Sequence, residues 1–463
     1  MLPSRENKKQ KVLMVARAFP PFLPVGHSIR VIKFIKYLPA LGWEPIVLTV
    51  DDSREYETLP KVGSEVLFSE LTSMPVIHRT DPGEPTTNYL RAEREFGQKN
   101  SLTRLIAKLV GGSRRWIFRN VLIPDRTITW LPSAVRRGRQ IVKTDGIDVI
   151  FATCPPHAAT LIGAFLKLLT GKPLILDFRD DWIDTPWHRS KPALIRWLDR
   201  QLEKWVVRTA DKVILVTEWS RQAFQERYPN EPKDKFMLIT NGCDLGDFEI
   251  LNTMQVEPRR SKFTIVHAGS LNVSKIWGRS PAGLFTAIQK ILREQPELKT
   301  SLRFEFAGDL PDDFQKLADE MGLSEVIHGV GHLPHDEVLR SIKSADLLLA
   351  INYEGWATLI PGKIYEYWAV GGAPILLLSC PGAAVNFVEQ HRLGRSVDPY
   401  DVEAIQRAIL DVYQRWNSGT AIQINPDGIE AFDRKALTSQ LAQVFSTVTL
   451  KDHKPTSPAL AHT

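Results

Sequence analysis

The chain has 463 residues, 43% of them hydrophobic and 24% charged, the make-up of a globular protein long enough for two or three domains. Three widely spaced cysteines, Cys154, Cys243 and Cys380, exclude a disulfide framework and a paired-cysteine metal knuckle, and they fit a reducing cytoplasm. The formal charge of +6 is local: residues 101–150 alone carry +7, leaving about −1 for the other 413, which excludes a protein-wide coat for nucleic acid and points to one basic face.

In chain order, MLPSRENKKQKVLMVARAF holds only the short apolar run VLMVA before Arg17, too short for a secretion signal, and no later run approaches the roughly 20 apolar residues of a membrane span. From there short apolar β-rich runs alternate with stretches of helical period. Strands are expected at 11–16, 44–50, 149–152, 174–178 and 212–216, with helices at 28–41, 131–144, 158–170 and 193–210. The polar, weakly periodic stretch 247–261 (DFEILNTMQVEPRRS) reads as a joint. Beyond it, strands are expected at 263–268, 303–307, 326–328, 346–351 and 374–378, and helices at 281–294, 311–321, 335–344, 361–370 and 383–390. The fold class is therefore α/β, two Rossmann-like parallel-sheet domains of about five strands each facing a cleft. The first spans 1–250 and the second 262–430, followed by a C-terminal helix and disordered tail over 431–463.

Open parallel sheets bind ligands beyond the carboxyl ends of their strands, so the loops there carry the candidate chemistry. In IPGKIYEYWAVGGAPILLL, residues 360–378, Pro361 suits a first helical turn and Gly362 lets a ligand reach its free N–H groups. Lys363 falls in the same turn, where a cation opposes the helix dipole unless an anion such as phosphate binds there. Glu366, one turn on, is placed to accept hydrogen bonds from vicinal ribose hydroxyls; a plain Lys363/Glu366 surface pair is the alternative. HAGSLNVSKIWGRSPAGL, from 267, supplies a second anion-binding feature: Gly269 permits close approach, and Lys275 or Arg279 can reach a diphosphate, with Arg279 preferred and Lys275 read rather as a solvated loop cation. In GVGHLPHDEV, backbone groups of His332 and Leu333 could read a base edge, or His332 is simply a loop histidine.

In the first half, FPPFLPVGHS forms a Pro-rich loop ending in Gly26, and CPPHAATL sets His157 where a strand gives way to a helix, at the cleft edge or as a cap. DFRDDW clusters carboxylates without Asp-x-Asp spacing or an accompanying His/Cys set, so no metal is expected, and Arg179 with Asp180 reads as a pair shaping the acceptor side. Residues 101–119 set Leu102, Leu105, Ile106, Leu109 and Val110 on one helical face, followed by Arg114, Arg115, Trp116 and Arg119. That pattern suits an anionic membrane interface, or a helix packed on the first sheet with its cations solvated; no nucleic-acid motif accompanies it, and no nucleic-acid partner is expected.

The runs FPPFLPVGHSIR, TCPPHAATLIGA, LDFRDDW, ADKVILVTEWS, HAGSL and IPGKIYEYWAVGGAPIL, in that order, resemble the bacterial GT-B glycosyltransferases of family four over about residues 11–445. The resemblance implies transfer of a sugar, with retention and without cofactor or metal, from a nucleotide-sugar donor to a glycan or lipid-linked acceptor in polysaccharide biosynthesis. It implies a cytoplasmic enzyme, peripheral at the inner face of the cytoplasmic membrane. It also implies a donor held by the second domain, with Glu366 on the ribose, Lys363 and Arg279 on the leaving diphosphate, Gly26 approaching from the opposite side and His157 at the transferred sugar. The first of the family's paired glutamates falls on Thr358, a departure, although N–H groups from Thr358 to Gly362 can still face the donor. An epimerase or phosphorylase of the same architecture, or a non-catalytic nucleotide-sugar-binding subunit, is the alternative.

Overall fold

In a computed structural model the described residues are 9–21, 25–51, 68, 71, 73–83, 122–183, 185–252, 261–269, 271, 281–308, 310–352 and 355–452. The first sheet comprises β1 (Gln10–Val15), β2 (Trp43–Val50), β3 (Val76–Thr80), β4 (Val149–Cys154), β5 (Leu174–Phe178), β6 (Lys212–Leu215) and β7 (Phe236–Leu238), in the order β3-β2-β1-β4-β5-β6-β7. The second comprises β8 (Phe263–Ala268), β9 (Leu302–Ala307), β10 (Ile327–Gly331), β11 (Leu347–Ile351), β12 (Ile375–Leu378) and β13 (Gly394–Val397), in the order β10-β9-β8-β11-β12-β13. All these strand pairs are parallel; Leu13 of β1 faces Ile46 on one side and Ile150 on the other, as Ile265 of β8 faces Phe304 and Leu347. In each sheet the strand order reverses beside its first strand, which opens a crevice at the carboxyl ends.

Seven and six strands replace the expected five and five. The additions β3, β7 and β13 are edge strands with partly exposed runs such as VIHRT and GRSV. An edge strand pairs on one side only and needs no continuous apolar run, so it leaves little trace in a hydrophobicity pattern. Three other boundaries differ. The first helix begins at Val25 instead of 28 and runs to Tyr37, then tightens into a 3₁₀ turn closed by Gly42 in the left-handed region. The polar joint starts as a 3₁₀ run, Leu245–Asn252, with Phe248 buried, while 253–260 lie outside the described residues. Helices Glu218–Arg227 and Val402–Asn417 add to those expected, and the expected C-terminal helix runs from Arg434 to Asp452, with 453–463 outside the described residues.

Each sheet is covered on both faces. Helices Leu131–Thr144, Ala158–Thr170 and Ala193–Thr209 bury Ile141, Leu166 and Val206 against one face of the first sheet. Its other face takes Val25–Tyr37 and the last helix, whose Phe445 sits edge-on to Trp43 and Phe151 at 5.1 and 5.8 Å. The last described helix thus packs on the domain that holds β1. The second sheet is covered by Ala282–Glu294 and Val402–Asn417 on one side, and by His335–Lys343, Gly362–Val370 and Ala383–Gln390 on the other. The carboxyl ends of the sheets meet: Thr217, just after β6, donates its hydroxyl to Thr358 O at 2.7 Å, and a Cβ on Gly355 would lie 2.8 Å from the Pro186 ring.

Candidate active site

The wall built by the second domain starts where β8 ends. Gly269 turns there at φ 103, a conformation that side chains resist, and a Cβ on it would stand 3.4 Å from Lys363 Nζ. Glycine is therefore required by the turn, which brings the backbone close to the ammonium. Lys363 Nζ donates to His267 Nε2 at 2.9 Å, while His267 Nδ1 donates to Leu349 O at 2.9 Å; the second bond fixes the neutral tautomer whose Nε2 accepts the first. Tyr367 accepts from Ala268 N–H at 2.8 Å and donates to Leu349 O at 3.2 Å, joining the ends of β8 and β11. Lys363 is thus directed across to His267, away from the simple surface-pair reading.

Gly362 is exposed at the first position of its helix, and the space where a side chain would stand is open. The first-turn N–H groups of that helix face this opening with the positive end of its dipole. Glu366 is half-buried one turn on, and among the described residues nothing hydrogen-bonds its carboxylate. Burial lifts its carboxyl above the ordinary glutamate range, against the lowering influence of His335, Lys363 and Arg434. His335, which opens helix His335–Lys343, and Arg434 were not legible as site residues. His335 lies three residues past His332, but Arg434 arrives from the last helix with no local signal. His332 is exposed and Leu333 half-buried in the turn before His335, on the rim of the same wall.

The departure at Thr358 takes structural form. Its carbonyl is engaged by Thr217, the Leu359 N–H closes a turn on Trp356 O at 3.3 Å, and Pro361 has no N–H. The expected row of donors from Thr358 to Gly362 is corrected accordingly: Leu359 and Pro361 drop out of it. Lys275 and Arg279 lie outside the described residues, as does the 101–119 segment.

On the facing wall, Gly26 sits in the first turn of its helix beyond β1, and residues 22–24 of its loop are outside the described residues. His157 immediately precedes helix Ala158–Thr170 but its ring caps nothing. Asp125 Oδ2 accepts from the N–H groups of His157 and Ala158, at 2.8 and 3.3 Å, and replaces the reading of His157 as the cap. The imidazole stacks on Trp182 with centroids 5.0 Å apart and planes 10° apart. Burial and the neighbouring Lys191, Arg179 and His188 push its pKa down to about 3, so it is neutral, and among the described residues its Nδ1 has no partner. Trp182 is pinned through Nε1 to Asp199 Oδ1 at 3.2 Å, and Lys191 holds the other Asp199 oxygen at 2.7 Å.

In DFRDDW, Asp177 is structural, fully buried and gripped at both oxygens by Arg30. Arg179 donates to the carbonyls of Cys154 and Pro155. Burial and Asp181 push Asp180 up to about 6, against Arg179. Among the described residues no group of three His, Cys, Asp or Glu side chains is placed to hold a metal ion. A groove of about 380 Å³ lined by Leu347, Ile375, Arg392 and Gly394 lies at the amino ends of the second sheet, remote from these walls.

Two parallel sheets with apposed carboxyl ends, one wall offering an open helix start with a lysine and an acid and the other a neutral stacked imidazole, define the GT-B class of architecture. Residues 26–242 match the glycosyl transferase 4-like domain and residues 262–415 match the glycosyl transferases group 1 family; between them they cover every strand of both sheets except β1, and the chain belongs to the family-four type of GT-B glycosyltransferase. Among solved structures the fold recurs in sucrose-phosphate synthase from Thermosynechococcus elongatus, with TM-score 0.63 and 15% identity over 96% of this chain and 100% of that one. It recurs in the lipopolysaccharide outer core galactosyltransferase WaaB, with TM-score 0.55 and 13% identity over 95% and 100%. UDP-GlcNAc 2-epimerase from Neisseria meningitidis shares it with TM-score 0.52 and 11% identity over 96% and 100%. No curated protein matches the sequence.

Proposed function

We propose that the protein transfers a sugar, with retention and without a resident metal, from a nucleotide-sugar donor on the second domain to a glycan or lipid-linked acceptor on the first. The observation that carries this reading is the wall at Gly362, where an open helix N-terminus, a lysine oriented by His267 and an unbonded glutamate converge. The diphosphate lies over the helix start, Lys363 neutralises the charge that grows on the leaving phosphate, and Glu366 accepts from the ribose hydroxyls. Arg279 assists Lys363. Gly26 and the neutral His157 close on the sugar from the opposite wall, and His332 and Leu333 flank the base.

Retention follows a front-face route. The glycosidic bond to the nucleotide breaks while the acceptor oxygen bonds to the same face, and the departing phosphate takes the acceptor proton. Domain closure excludes water from the cleft. The enzyme works in the cytoplasm at the inner face of the membrane, with residues 101–119 contacting anionic lipid.

The likeness to an epimerase gives the test its second arm. Incubated with UDP-, GDP- and ADP-sugars, with and without membrane extract or oligosaccharide acceptors, the protein is expected to release nucleoside diphosphate only when acceptor is present. A new sugar isomer formed without acceptor would establish the epimerase reading instead, and binding without either product the non-catalytic one.

A further inference from the structure

The outer face of the first domain carries a second surface that the site does not use. The helix Ala193–Thr209, ALIRWLDRQLEKWVVRT, looks nearly balanced in charge, with Arg196, Arg200, Lys204 and Arg208 against Asp199 and Glu203. The fold separates these signs. Asp199 and Glu203 are fully buried, Asp199 on Lys191 and Trp182, Glu203 on Arg227 and Tyr228. The four cations, one at every fourth residue, are left as the charges on the outward side. Arg196 bonds two backbone carbonyls, Arg208 lies 3.9 Å from Glu231, and Arg200 and Lys204 stand exposed.

Large apolar side chains stand among them. Leu194 is 66% and Trp197 54% exposed on this helix. On the adjoining Ala158–Thr170, which contains no acidic residue, Leu168 is 62% and Leu169 46% exposed. Phe165 and Trp205 join the two helices, their rings 5.1 Å apart. Solvent exposure of this many leucine and aromatic side chains beside a row of cations is costly and marks an interaction surface. Arginine and lysine stems lying beside tryptophan and leucine match the boundary of a bilayer, where the rings sit at headgroup depth and the cations reach lipid phosphates.

We infer that this two-helix face docks on the surface of an anionic phospholipid bilayer. Helix Ala158–Thr170 starts just beyond the carboxyl end of β4 with His157 immediately before it, and Ala193–Thr209 follows β5 by way of the short helix Pro186–Arg189. A bilayer along this face therefore lies beside the wall assigned to the acceptor. The inference concerns binding alone and does not depend on sugar transfer, so its failure and a failure of the enzymatic reading are separately visible.

The test is flotation of the full chain with vesicles of phosphatidylcholine alone or mixed with phosphatidylglycerol. The protein is expected to float with the mixed vesicles only, and less as salt is raised. Arg200→Gln/Lys204→Gln should lower the partition coefficient about thirtyfold, and Leu168→Ser/Trp197→Ser at least about tenfold. Arg293→Gln/Arg407→Gln, with the same loss of net charge on exposed residues of the second domain, should change it about twofold or less. All substitutions are at exposed positions, and unchanged melting curves confirm that the variants fold. Flotation of both face variants equal to the parent overturns the inference by assigning binding elsewhere, and absence of the parent from both kinds of vesicle overturns it in favour of another partner for the face.

Discussion

Lys363 and Glu366 share one helical turn's spacing but have different surroundings, and their expected behaviour differs accordingly. The lysine is oriented by a histidine whose tautomer is fixed at Leu349 O, whereas the glutamate is half-buried and no described residue hydrogen-bonds its oxygens. An ionised carboxylate accepts from both ribose hydroxyls, whereas the protonated acid turns one oxygen into a donor and accepts more weakly, and burial holds the Glu366 value above the ordinary range. Donor affinity should therefore weaken as pH falls through that raised value. Glu366→Gln should bind more weakly at neutral pH and lose the dependence; titration of nucleotide binding against pH checks this, and an unchanged acid limb in the variant would refute it. Asp180 gives a stability counterpart. With its carboxyl at about 6 when folded, the folded chain binds more protons than the unfolded chain between the ordinary aspartate value and about 6, and stability falls as pH rises through that window. Asp180→Asn should raise the melting temperature at pH 7 and leave it nearly unchanged below the ordinary aspartate range, so equal shifts at both pH values would argue against the assignment.

At the scale of elements, Thr217 joins two structures with one hydroxyl. Its Oγ1 accepts from Ser220 N–H at 3.1 Å as the cap of helix Glu218–Arg227 and donates to Thr358 O across the cleft. Thr217→Ala should cost about 1 kcal/mol in denaturant unfolding from the lost cap, while Thr217→Ser, which keeps both bonds, should be nearly neutral. The helix Gly362–Val370 and strands β5 and β8 were legible to within a residue, because buried runs and a Pro-Gly start are local signals. What escaped was set by distant partners. β3 and β13 are exposed edges, Asp125 caps a helix more than thirty residues away, and the loss of the Leu359 donor depends on a turn whose geometry spacing alone does not specify.

At the scale of the whole molecule, the last helix ties the two domains together. It leaves the second domain through Arg434, which lies close enough to Glu366 to lower its value, and ends packed on the first sheet. Burial and the neighbouring Arg30 pull the guanidinium down to about 10, and among the described residues its Nε and Nη1 have no partner, a cost retained at the junction between domains. Phe445→Ala, which empties the space between Trp43 and Phe151, should destabilise the first domain by about 3–5 kcal/mol in denaturant unfolding; a loss below 1 kcal/mol on the order of a surface change would mean that the helix does not hold that sheet. The two-domain plan was legible from alternation alone, but the packing of helix Arg434–Asp452 on the first sheet was not, because an apolar stripe does not name the face it covers.

The central claim is that a nucleoside diphosphate seats on the start of helix Gly362–Val370, and calorimetric titration of the parent and Lys363→Ala with UDP-, GDP- and ADP-sugars tests it most directly. One nucleotide class should bind the parent, and the variant should bind it at least about tenfold more weakly through the lost charge-assisted contact. Equal affinity in parent and variant, or no binding of any nucleotide sugar by the parent, would contradict it.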